Sequence, residues 1–140
     1  MLREEFINAK RIVIKLGTNV LRNSDGEVAI SRIYSFIEDM AKLVKQGKEV
    51  ILVTSGAVGL GKKKLNLEST AEDGVKQACA AVGQSRLMSV YENGFGIYDV
   101  PIAQILLTED DFSLRYRYLS LRTTLNKILE FGVVPIINQN

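Results

Sequence analysis

Val50-Ile-Leu-Val-Thr-Ser-Gly-Ala-Val-Gly-Leu-Gly-Lys-Lys-Lys64 sets a continuous apolar run directly against a turn of small residues. Such a run reads as a strand covered on both faces, and Gly56 to Leu65 reads as a turn opening into a helix. On its N-terminal side, Ile12 to Leu16 is a β-branched strand ended by Gly17, and Asn23-Ser-Asp-Gly26 is turn chemistry. From Ser31, a candidate N-cap, Ile33, Phe36, Ile37, Met40, Leu43 and Val44 recur at helical spacing until Gly47. On its C-terminal side, Glu68 to Asp73 is a polar link and Val75 to about Gly96 is helical, with a candidate break at Gly83. Pro101 to Leu107 reads as a third buried strand. A helix carrying Leu119, Leu121, Leu125, Ile128 and Leu129 ends at Gly132, and Val133 to Ile137 is a fourth strand. Strands alternating with helices in this way define an α/β domain, mainly a parallel sheet with helices on both faces.

The totals narrow the function. The 140 residues make one domain, and a net charge of +2 with scattered cations argues against nucleic acid and acidic membrane surfaces. Arg115 and Arg117 beside Tyr116 and Tyr118 do not alter that reading. With no histidine and a single cysteine, a His/Cys metal site and a Ser-His-Asp triad are excluded. Cys79 lies on an apolar helical face and reads as a core thiol. The first ten residues have neither the pattern of a signal peptide nor that of a membrane span, so a cytoplasmic location is expected.

Each strand is followed by hydrogen-bonding residues: Lys15, Gly17 and Thr18; Thr54, Ser55 and Gly56; Thr108, Glu109 and Asp110; Asn138, Gln139 and Asn140. Parallel sheets bind ligands outside the carboxyl ends of their strands, so four polar endings point to a site at that rim. Gly56 to Lys63 nearly matches a phosphate-binding loop, but Lys63 stands where a magnesium-holding hydroxyl is needed. Lys62 to Lys64 reads as a solvated helix face. Gly56 and Ala57 instead let backbone amides at a helix N-terminus face an anion. Thr54 and Ser55 beside them are placed to grip a carboxylate or an amino group. Lys15 offers a compact charge to a phosphoryl group, or reaches water from an edge strand.

Lys15-Leu-Gly-Thr18 with Val20-Leu21, Val53-Thr-Ser-Gly-Ala57, Ala80-Ala-Val-Gly-Gln-Ser-Arg-Leu87, Gln104-Ile-Leu-Leu-Thr108 and Val134-Pro-Ile-Ile-Asn138 with Asn140 resemble the amino-acid-kinase family. They fit the branch that phosphorylates glutamate, and the fourth and third of these stretches are the most specific. The resemblance covers residue 12 to the last residue. It implies a carbamate-kinase-like fold and ATP-dependent phosphorylation of the L-glutamate side-chain carboxylate, with Mg2+, at the first step of proline synthesis. It places Lys15 against the transferred phosphoryl group as the catalytic residue, with Gly17 and Thr18 lending donors there. Ser55, Gly56, Ala57, Asn138 and Asn140 would bind glutamate, and no residue here would ligate metal. The stretch holding Asp110, Asp111 and Arg115 corresponds to the one that senses proline as feedback inhibitor; a helix cap by Asp110 or Asp111 is the alternative. Arg86 reads as structural pairing. Gln139 stands where the family usually has glutamate. The chain is expected to be a truncated, substrate-binding portion without the ATP-binding portion, inactive alone and prone to self-association as a homo-oligomer. Two rivals stand beside this: a sibling kinase for another acidic substrate, and a non-catalytic amino-acid-binding module.

Overall fold

Four parallel strands, β1 (Arg11–Leu16), β2 (Glu49–Thr54), β3 (Ile102–Ile105) and β4 (Val134–Asn138), form one sheet ordered β1-β2-β4-β3 in a computed structural model describing residues 2–138. The helices are α1 (Leu2–Asn8), α2 (Thr18–Leu21), α3 (Ile30–Lys45), α4 (Ala57–Lys64), α5 (Val75–Gly96), α6 (Asp110–Ser113) and α7 (Arg115–Glu130). The α/β class and the mainly parallel sheet read from the sequence are those of the structure.

Strand order dictates which face each helix covers. The paths β1 to β2 and β2 to β3 run in one direction across the sheet, and β3 to β4 turns back. Right-handed crossovers then require the returning helix to lie on the opposite face. Accordingly Ile33, Ile37 and Met40 of α3 join Leu87, Tyr91 and Phe95 of α5 in one core with Leu16, Leu52 and Ile136. On the other face, Leu121, Leu125 and Leu129 of α7 stand over Ile51. Each fully buried aliphatic or aromatic side chain in the main core contributes about 1.5–3 kcal/mol.

The two faces are unequally covered. Along β2, Val50, Leu52 and Thr54 are buried and the intervening residues only half-buried, so the apolar run overstated the cover on the second face. β1 is an edge strand whose Val13, on that second face, remains 61% exposed. The third strand is also an edge, shorter than its apolar sequence predicts and only half-buried.

Other boundaries shift for local reasons. α3 begins at Ile30 after an extended Ala29, without a side-chain cap, so Ser31 is not its N-cap. Gly83 does not break α5, which runs uninterrupted through it. Its Cβ position is occupied: an added methyl would sit 1.6 Å from the carbonyl oxygen of Ala57. Gly61 is similar, with the Cys79 carbonyl oxygen 1.8 Å from its ideal Cβ. These two glycines let α4 and α5 meet backbone to backbone. Cys79 is fully buried and free. No helix among the described residues is long and apolar enough to cross a membrane.

Candidate functional site at the carboxyl rim

Because all four strands run the same way, their carboxyl ends share one rim. Leu16, Thr54 and Asn138 are in register across β1, β2 and β4. The chain leaves β1 through Gly17 into α2, whose Val20 and Leu21 amides both donate to the Gly17 carbonyl. The short turn is held from below by Arg32, whose Nη1 donates to the Val20 and Arg22 carbonyls at 2.9 and 2.7 Å. The chain leaves β2 through Ser55, whose amide donates to the Leu16 carbonyl at 2.9 Å. Gly56 follows at φ +112°, a left-handed conformation that glycine adopts at no steric cost, and caps α4. The first-turn amides of α4 have no intrahelical acceptor and stand at the positive end of the helix dipole.

A cleft of about 660 Å³ opens where these exits meet. Lys15, Gly17, Thr18, Ser55 and Gly56 all line it, so five sequence-chosen residues come together from two adjacent strand ends. By alternation Lys15 shares the Val13 face of β1, and from the last turnable position of that edge it lines the cleft at the rim. Arg22, Thr70 and Lys76 also line it and carried no sequence signal, since α5 and the preceding link reach the cleft only through the fold. No carboxylate is among the described lining residues. Three cations without an acid make the cleft a place for anions. The donors fit phosphoryl and carboxylate oxygens. They do not fit a divalent cation, and among the described residues no cluster of three His, Cys, Asp or Glu could hold one.

The remaining chosen residues lie elsewhere. Ala57 is fully buried, so only its backbone can serve a ligand. Asn138 does not line the cleft; its Nδ2 donates to Gln84 Oε1, and its Oδ1 is buried without a partner among the described residues. Asn140 lies outside the described residues. Thr54, read as a ligand-gripping hydroxyl, is instead buried beneath the turn and bonded to Ser55 O and the Tyr91 hydroxyl. Gly61 serves helix packing, which closes the phosphate-loop reading at a second residue. Lys62, Lys63 and Lys64 occupy the last turn of α4, where cations suit the helix dipole, and Lys63 pairs with exposed Glu27 at 2.9 Å. Arg86 is exposed and enters no ion pair among the described residues, contrary to the pairing expected of it.

At the end of β3, Asp111 Oδ2 accepts from the Thr108 amide at 2.6 Å and from its hydroxyl at 3.1 Å. Arg117 pairs with Asp111 and Asp110 at 3.1 and 3.5 Å. The Thr108 amide, then the threonine hydroxyl and Arg117, hold the Asp111 carboxyl below its ordinary range. The acid reaches back over the turn in the manner of a capping box.

A parallel α/β sheet with a cationic, amide-lined cleft at its carboxyl rim defines an anion-handling domain, and comparison with known proteins says which kind. Residues 10–140 match the amino acid kinase family, and the chain belongs to it. Its relatives within that family include the glutamate 5-kinase of Desulfotalea psychrophila, 48% identical over 140 residues, covering 99% of this chain and 37% of that protein. The glutamate 5-kinase of Pelobacter propionicus is 42% identical, covering 100% and 38%. That of Geobacter metallireducens is 46% identical, covering 94% and 35%. The chain thus spans little more than a third of these curated relatives. Crystal structures of isopentenyl phosphate kinase superpose with a TM-score of 0.54 at 13% identity, covering 93% of this chain and 57% of that one. At that identity the likeness concerns the fold alone.

Proposed function

We propose that this chain provides the acceptor-binding side of a glutamate 5-kinase, which transfers the γ-phosphoryl group of ATP to the side-chain carboxylate of L-glutamate. The observation that carries the reading is the gathering of Lys15, Gly17, Ser55 and Gly56 around one acid-free cleft. Relatives bearing that activity at 42% to 48% identity support it.

The chemistry asks little of side chains. A glutamate carboxyl ionises near pH ~4.3, so at neutral pH it is already a nucleophile and needs no general base. Its oxygen forms the new bond to phosphorus while the bridging oxygen leaves with ADP, and no proton moves. What remains is alignment and neutralisation of charge. Lys15 stands where the transferred group would pass, with Gly17 and Thr18 beside it. Ser55, with the amides of Gly56 and Ala57, would hold the amino acid, and Asn138 and Asn140 would belong to a loop that closes on it. Mg2+ bound with the nucleotide would add neutralisation of its phosphates, and the residues lining the cleft would not hold it. The same reading carries the first step of proline synthesis in the cytoplasm, proline as inhibitor near Asp110, Asp111 and Arg115, and assembly as a homo-oligomer.

Thermal unfolding with added amino acids tests the acceptor. L-Glutamate should raise Tm saturably, while aspartate and N-acetylglutamate do not; the reverse pattern would assign a sibling kinase. Hydroxylamine with glutamate and Mg-ATP tests transfer, because an acyl phosphate is trapped as a hydroxamate. Glutamate binding without hydroxamate would leave an amino-acid-binding module.

A further inference from the structure

Beneath the Ser55–Gly56 turn lies a buried pair of hydroxyls that neither the family match nor the cleft explains. Thr54 Oγ1 lies 2.6 Å from the hydroxyl of Tyr91 and 3.0 Å from the carbonyl oxygen of Ser55. Tyr91, in the C-terminal third of α5, is 0% exposed and Thr54 is 1% exposed. Proton counting fixes the direction of both bonds. A carbonyl oxygen can only accept, so Thr54 donates its single proton to Ser55, and Tyr91 must donate to Thr54. Burial pushes the Tyr91 hydroxyl up to about 12, which keeps it a donor at any physiological pH.

This chain of donors determines where an amide points. The described peptide bonds include no cis bond, and across a trans peptide the C=O and N–H project in opposite directions. Drawing the Ser55 carbonyl toward Thr54 therefore turns the Gly56 N–H away from the core. Gly56 lines the cleft, and its N–H finds no acceptor among the described residues. Glycine at this position has the freedom to let the plane rotate, so the orientation has to be imposed from elsewhere.

We propose that Tyr91 and Thr54 are positioning residues: a Tyr91-to-Thr54-to-Ser55 hydrogen-bond relay locks the Ser55–Gly56 peptide so that the Gly56 amide is presented to a substrate carboxylate oxygen. The inference rests on the glutamate-binding reading of the cleft, and it adds two residues that never touch the ligand.

The test uses the 15N-labelled chain and its Tyr91→Phe, Thr54→Val and Thr54→Ser variants. Two quantities are read: the Gly56 N–H residual dipolar coupling without ligand, and the Gly56 amide shift and Kd on titration with L-glutamate. Thr54→Ser retains the hydroxyl and should match the parent in both. Tyr91→Phe and Thr54→Val should change the Gly56 coupling and weaken glutamate on the order of three- to tenfold, the worth of one hydrogen bond. Tyr91→Phe removes one oxygen without changing the ring, so it carries the test if Thr54→Val does not fold. An unchanged Gly56 coupling and Kd in folded Tyr91→Phe overturns the relay while leaving the glutamate site standing. A coupling that changes in Tyr91→Phe, in a parent chain whose Gly56 ignores glutamate, upholds the peptide lock and overturns the glutamate site instead.

Discussion

Asn138, the last residue of β4, donates its side-chain Nδ2 to Oε1 of Gln84, 54 positions earlier in the middle of α5. Because Asn138 is level with Thr54 and Leu16, this bond ties the third strand end of the rim to the same helix that supplies Tyr91. One helix thus braces two neighbouring strand ends.

Replacing Gln84 by leucine leaves the Asn138 amide without its acceptor in a half-buried position. Stability should fall by about 1 kcal/mol, seen as a lower urea midpoint with unchanged slope. A midpoint equal to that of the parent would dismiss the brace.

Gly83→Ala forces a methyl to within 1.6 Å of the Ala57 carbonyl oxygen. Overpacking against backbone costs about 1–3 kcal/mol, and because Ala57 adjoins the Gly56 turn, glutamate binding should weaken as well. Gly96→Ala is the control, since nothing lies within 4 Å of its Cβ position; it should be neutral or stabilising by up to about 1 kcal/mol. Equal behaviour of the two in unfolding and titration experiments would contradict the close helix contact.

Lys15 is an exposed residue on an edge strand, so Lys15→Met should change stability by no more than about 0.5 kcal/mol. Its effect belongs to transfer: in a chain that also carries the ATP-binding portion, hydroxamate formation should drop on the order of 10²-fold or more, as for loss of one charge-stabilising group. Lys15→Arg should not restore it, because a planar fork replaces a compact ammonium. A Lys15→Met protein that retains parental hydroxamate yield removes Lys15 from the chemistry.

The lowered Asp111 ionisation makes the β3–α7 corner sensitive to acid. A carboxylate depressed in the folded state contributes stability that is fully present above the unfolded value, near ~3.9, and is lost as pH falls through the folded value. The stability difference between the parent and Asp111→Asn should therefore be constant near neutrality and shrink below about pH 4. Urea unfolding at stepped pH measures it. A difference that grows on acidification would reverse the sign and refute the assignment.

Much of this was legible in the sequence for physical reasons that can be located. Apolar runs bounded by glycine marked the strands, and polar residues after each run marked the rim, because both signals are local. α1 and α2 were missed: α2 is only four residues long and is held by Arg32 from another element, which no window around it contains. Gly83 looked like a helix break because its partner, Ala57, lies 26 positions earlier in the sequence. Arg22, Thr70 and Lys76 were invisible as cleft residues for the same reason. Thr54 has the neighbours and the residue type of a ligand-gripping hydroxyl, but strand alternation turns it inward, and the sequence around Tyr91 marks only bulk.

The joint between α4 and α5 at Gly61 and Gly83 has a bearing on selectivity. Where backbone meets backbone there are no rotamers to re-sort, so the turn that follows β2 cannot creep toward a shorter ligand. On the proposed reading of the cleft as a glutamate site, an amino acid with one methylene fewer would leave its terminal carboxylate short of Lys15, with little accommodation from the turn to close the gap. Discrimination by length would then be written into the absence of two methyl groups.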